Sequence, residues 1–208
     1  MTADQAADTV VALKQSMRLS VKEMMSLGDA INYIGDKTAA GGKTTTEILK
    51  RQGGYVKNTT KLANEEIVAL AASFDSTKQG TELAATAMKN FVGALTRGKG
   101  VQKKEMEAWQ KLGLHPVKVA EQMQKDGRGT IMKVMKAISE VNDAERADVM
   151  TRIFKKESIG VIASLLSNLE GMDKAFEELG DSGRYLGRSQ GEYERQLSGV
   201  NAKWTVLG

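Results

Sequence analysis

The chain has 208 residues, 41% of them hydrophobic, enough to bury a sizeable core as one domain or two small ones. A single proline and an aromatic content of only 5% argue against sandwiches and barrels and leave long stretches free to be helical. With no cysteine there is neither a disulfide framework nor a thiolate metal site, one histidine cannot assemble a His-based zinc site, and the net charge of +4 comes from basic residues that are spread rather than massed.

The N-terminus lacks the charged-then-apolar pattern of a secretion signal, and no apolar run approaches the ~20 residues that span a bilayer. Ser20 and Glu23 form a capping box ahead of Val21, Met24, Met25, Leu27, Ile31 and Ile34, which share one broad helical stripe. Gly42-Lys43-Thr44 then reproduces the tail of a phosphate-binding loop. The glycine that such a loop requires five positions earlier is Lys37, and the preceding apolar residues have helical rather than strand spacing. Gly41 and Gly42 are therefore expected to end one helix, with Thr44 starting the next and Glu47 as its capping partner.

After an expected break at Gly53-Gly54, Asn64 caps a helix whose inward face is Ile67, Leu70, Ala71 and Phe74. Thr81 opens another, with Leu83, Ala84, Ala87, Met88, Phe91, Ala94 and Leu95 facing the core until Gly98 and Gly100 close it. A helix around Met106 and Trp109 stops at Gly113. Pro116 then starts one carrying Val119 and Met123, which Gly127 and Gly129 break. His115 has a structural place just ahead of Pro116. Ile131, Val134, Met135, Ile138 and Val141 recur at offsets of three and four, a strong amphipathic signal. Asn142 and Glu145 form a further capping box leading to Val149, Met150, Ile153 and Phe154, and Ile159, Ile162, Leu165, Leu166 and Leu169 line the helix after it. From Gly180 the chain turns glycine-rich and polar and reads as a mobile linker; the closing "VNAKWTVLG" reads as the start of something longer.

The expected fold is all-α: a compact array of about eight short helices with glycine-rich joints over 1–172, then 173–208 as a flexible linker and the start of a further helical region. Gly41, Gly42, Gly53 and Gly54 are its candidate switch points, where a helical hairpin would straighten. Of the many methionines, Met24, Met88, Met123, Met135 and Met150 fall on inward faces, and Met25 and Met106 are candidates for a surface that repacks against partners. The pairs Lys103-Lys104 and Lys155-Lys156 read as solvated helix faces. No catalytic, cofactor-binding or metal-ligating residue is expected.

In this order and spacing, residues from about Ala6 to Met172 resemble the core region of phage tail tape measure proteins. The resemblance is carried by Gly28-Asp29-Ala30-Ile31-Asn32, Ala63-Asn64-Glu65-Glu66, Gly80-Thr81-Glu82-Leu83, Leu112-Gly113, Asp126-Gly127, Asn142-Asp143-Ala144-Glu145-Arg146 and Phe154-Lys155-Lys156-Glu157-Ser158. Lys155 stands where the family often has glycine, and Phe74-Asp75 lies where a glycine is common at a helix end. The family continues into a very long helical remainder, which Gln196-Leu197 and the stretch around Trp204 would begin.

The resemblance implies a structural protein of the virion tail, present in the host cytoplasm during assembly, that lies in the tube lumen and sets tail length. It also implies tail tube subunits, tail assembly chaperones and tail-tip proteins as partners, with self-association possible. Fully helical, the chain would extend about 300 Å at 1.5 Å per residue. Its glycine-punctuated helices point instead to a compact module, with any measuring segment outside it. Some members of the family carry a peptidoglycan lytic transglycosylase domain, for which Glu157 is the candidate acid. Its neighbours Lys156 and Ser158 favour the ionised form over the protonated acid that this chemistry needs. A DNA-contacting surface would need a basic stripe with an aromatic platform; Trp109 has Lys103 and Lys111 nearby, but Glu105 and Glu107 intervene, so no stable nucleic-acid binding is expected. A generic helical interaction module is the remaining alternative.

Overall fold

The computed structural model describes residues 3–187, and these are helical throughout, with no strand among them. The α-helices are α1 (Ala3–Ser16), α2 (Val21–Lys37), α3 (Gly42–Thr59), α4 (Asn64–Asp75), α5 (Thr81–Thr96), α6 (Lys103–Lys111), α7 (Pro116–Met123), α8 (Gly127–Ser139), α9 (Asp143–Ile153), α10 (Ile159–Leu166) and α11 (Leu169–Gly180). That is eleven among the described residues where about eight were expected. One reason is that the apolar stretch ending at Leu169 breaks at Ser167-Asn168, so Leu169 opens α11 instead of closing its predecessor.

The caps read from the sequence largely form. Ser20 Oγ accepts from the Glu23 N–H at 3.2 Å, and Glu23 Oε2 accepts from the Ser20 N–H at 2.8 Å. The Ser20 backbone donor holds the Glu23 carboxyl below the usual carboxylate range. Asn142 Oδ1 accepts from the Glu145 N–H at 3.1 Å, while the return contact runs between the two side chains. Asn64 is the first helical residue of α4, not its cap; there Glu66 accepts from the Ala63 N–H at 2.8 Å. Gly113 stops α6 with φ 67°, a conformation that glycine adopts without a Cβ penalty.

Several glycine readings are corrected. Gly53-Gly54 does not break the chain but lies inside α3, where α1 crosses it. A Cβ on Gly54 would stand 2.6 Å from the Ser16 carbonyl oxygen, and one on Gly53 would stand 2.8 Å from Met17 Sδ. Glycine is required there for the approach of two helices rather than for a turn. Likewise α2 ends at Lys37, ahead of Gly41-Gly42, and Thr38 turns its hydroxyl back to the Ile34 carbonyl at 2.8 Å. Gly127 and Gly129 begin α8 instead of interrupting α7, with Gly127 tight against Leu62.

The core is built around α4. Its residues from Ile67 to Asp75 are all buried, not only the face of Ile67, Leu70, Ala71 and Phe74. A helix apolar all round has to be enclosed, and α2, α3, α5, α10 and α11 pack against it. Phe74 meets Phe91 of α5 edge-on at 5.8 Å, and Phe91 stacks on Phe154 at 5.6 Å, tying the α4–α5 layer to the end of α9. In the second half α6 packs on α9, and α7 on α8 and α5.

The stretch from Gly180 is not a free linker over its described part. Residue 172 lies within α11, whose Phe176 and Leu179 are buried. Beyond it Tyr185 is 3% exposed and packs on Tyr33 of α2, and the Gly187 N–H donates to Asp29 Oδ2 at 2.8 Å. Burial pushes the Tyr185 phenol up. The Tyr33 hydroxyl donates to Glu178, which also meets Arg184 at 3.3 Å; the Tyr33 hydrogen bond is the main reason that the Glu178 carboxyl sits below the usual range. Gln196-Leu197 and Trp204 lie outside the described residues.

Glycine's two uses are separable by substitution. Gly54→Ala should lower unfolding stability by about 1 to 3 kcal/mol through overpacking against backbone. Gly28→Ala, at an α2 position with no atom within 4 Å of the added carbon, should raise it by about 0.5 to 1 kcal/mol. Urea midpoints of the two variants check both signs.

Candidate functional site

The phosphate-loop-like stretch is already occupied by the protein's own anion. Asp75, 7% exposed at the end of α4, places Oδ2 2.6 Å from the Gly41 N–H and 2.6 Å from the Thr44 hydroxyl. An internal carboxylate thus sits at the positive N-terminal end of α3, where a nucleotide phosphate would have to lie. The helix α2, not a strand, feeds the turn. The expected Thr44–Glu47 capping box does not form: Gly41 is the capping position, Thr44 turns to Asp75 and the Gly41 carbonyl, and Glu47 pairs with Lys50 at 3.1 Å. The competing principle is a tertiary acceptor stronger than the local one.

Glu157 is exposed on the short turn Lys156–Ser158 and accepts from Asn90 Nδ2 at 3.2 Å. That surrounding is neither apolar nor enclosed, so it lacks the burial that holds a catalytic acid protonated. Trp109 is fully buried and offers no face to a base; of the acids flanking it, Glu105 meets Arg97 at 2.6 Å and Glu107 meets Arg152 at 3.6 Å. Among the described residues no group of three or more His, Asp or Glu side chains is placed to hold a metal ion. No helix among them is long and apolar enough to cross a membrane.

What the surface does offer is faces for contact. Met88, Met123, Met135 and Met150 are buried and Met24 packs partly into the core, whereas Met25 is 64% exposed and Met106 half-buried. Met25 sits one turn from Val21 on α2, also 64% exposed, and Val10 and Val11 on α1 are exposed too, so four large apolar residues mark the outside of the N-terminal hairpin. A hollow of about 580 Å³ opens between α7 and α8 beside the Gly113–His115 turn. Sequence reasoning named Gly113, His115, Val119, Asp126, Gly129 and Val134 of its lining as stops, caps or core, and none of them as part of a groove. The signal that would have found the groove is Lys118 with Gln122 and Gly129 with Lys133, each pair four apart on consecutive helices. Its one carboxylate, Asp126, accepts from the Gly129 N–H at 2.8 Å as the cap of α8.

The fold and these surfaces define an all-helical protein whose outer features are apolar faces, helix caps and a groove between two helices. Residues 1–155 match the family model described as "Phage-related minor tail protein". The chain belongs to this family, that of phage tail tape measure proteins. It is 34% identical over 206 residues, 99% of its length, to the "Probable tape measure protein" of Halomonas phage phiHAP-1. It spans 24% of that relative's length. No solved structure matches it.

If Asp75 fills the α3 terminus as described, Asp75→Ala leaves the Gly41 N–H and the Thr44 hydroxyl without their acceptor. Stability should fall by about 1 to 3 kcal/mol, with Asp75→Asn losing less. ATP should leave the thermal midpoint of the unsubstituted protein where it was.

Proposed function

We propose that this chain is the folded core module of a tape measure protein, acting in virion tail assembly through contacts with other tail components. The observation that carries the reading is the likeness of nearly the whole chain to a part of a probable tape measure protein, in a chain whose longest described helix has 18 residues. Such a helix extends only about 27 Å. The module accordingly serves as an assembly and anchoring body, while the length-setting segment belongs to other parts of a longer protein. Its proposed partners are tail tube subunits, tail assembly chaperones and tail-tip proteins, met in the host cytoplasm before the module takes its place in the tube lumen. The role is structural, not enzymatic, and the exposed setting of Glu157 supports it. Of the glycine switch points, only Gly41-Gly42 stays a candidate joint, held shut by Asp75; Gly53 and Gly54 already lie in a continuous helix.

The test is made in a phage carrying this gene. Ala71→Asp buries an unpaired carboxylate in α4 and unfolds the module. Electron microscopy should show far fewer tails, with those that form of normal length, whereas Glu157→Gln should leave yield unchanged. Normal tail numbers with altered length after Ala71→Asp would contradict the separation of module from ruler, and loss of function with Glu157→Gln would favour an enzyme.

A further inference from the structure

We propose that the α7–α8 groove is a docking site for an acidic, partly apolar segment of a partner protein. The inference rests on the assembly reading for the partner being a protein, and adds where and by what chemistry it binds. The floor of the groove is apolar: Val119 is 5% and Val134 1% exposed, with half-buried Leu114 beside them. Its rims are cationic. Lys118 on α7 and Lys133 on α8 are both exposed, and neither makes an ion pair among the described residues.

The rest of the lining leaves that sign in place. Asp126, the one carboxylate of the lining, is held by the Gly129 N–H in the first turn of α8 and offsets one of these two charges, so the opening stays net positive. The helix α7 begins beside the groove with no side-chain cap, so the positive end of its dipole adds to the two ammonium groups, whereas that of α8 is met by Asp126. An apolar floor between positive rims is complementary to carboxylates flanking one or two apolar side chains. The volume of about 580 Å³ accepts several side chains of such a segment rather than a lone ion. A nucleic acid fits less well, because no aromatic ring lines the groove to stack a base.

The probe is a synthetic amphipathic peptide of glutamate and leucine, titrated into the isotope-labelled chain and followed by amide chemical shifts. The same peptide with lysine for glutamate and an oligothymidylate serve as the other arms. The acidic peptide should move the amides of Gly113, Val119 and Val134 and bind more weakly as salt rises. The double variant Lys118→Glu, Lys133→Glu, at exposed positions, should keep its helical circular dichroism and weaken binding about tenfold or more, through lost attraction and added repulsion. Equal binding of the lysine peptide, preference for the oligonucleotide, shifts confined to other faces, or no binding overturns the assignment. Phage carrying the double variant should lose tail yield. Normal yield would overturn the groove's role while leaving the module's part in assembly, tested by Ala71→Asp, intact.

Discussion

The enclosure of α4 is the constraint on which the rest of the structure depends. From Ile67 onward this helix has no solvated face, so its neighbours are not free to choose their places: α2, α3, α5, α10 and α11 must close around it. Alanines at 69, 71 and 72 let those helices come close, and the wider gaps are filled by Phe74, Phe91 and Phe154. Such an interior leaves few polar groups to satisfy, and α4 satisfies its own: Ser73 and Ser76 turn their hydroxyls to carbonyls four residues back, each at 2.8 Å.

The same enclosure explains where binding features are and are not. Asp75, the acid at the end of α4, is spent on the start of α3, which closes a helix start where a phosphate would otherwise have fitted. Recognition is left to the periphery: the apolar outside of α1 and α2, and the lysine-rimmed groove between α7 and α8, whose helices lie away from α4.

Much of the fold was legible because local signals and tertiary outcome agree. The Ser20–Glu23 box, the Asn142 cap, Pro116 at the head of α7 and the stripe from Ile131 to Ile138 each depend on residues within a turn or two, and each stands as read. The failures are non-local. Whether paired glycines break a helix or admit a crossing one depends on what lies opposite, and for Gly53-Gly54 that is Ser16 at the end of α1 and Met17 just after it. The stretch from Gly180 reads as polar linker, yet a single aromatic residue, Tyr185, finds Tyr33 across the fold and holds it down. The absence of a nucleotide loop was readable from Lys37 and the missing strand, but its occupant, Asp75, lies 31 residues beyond Thr44. One exposed lysine on each of two helices looks like any solvated face, so the groove became visible only when α7 and α8 were set side by side.

The central claim, that a fully enclosed α4 organises this module, is tested most directly by native-state hydrogen exchange. The amides from Leu70 to Asp75 should be the slowest in the chain, with an opening free energy equal to that of global unfolding, because no neighbour can leave without exposing the core. Exchange of α4 as fast as that of the peripheral helices α7 and α9, through local opening well below the global value, would contradict it.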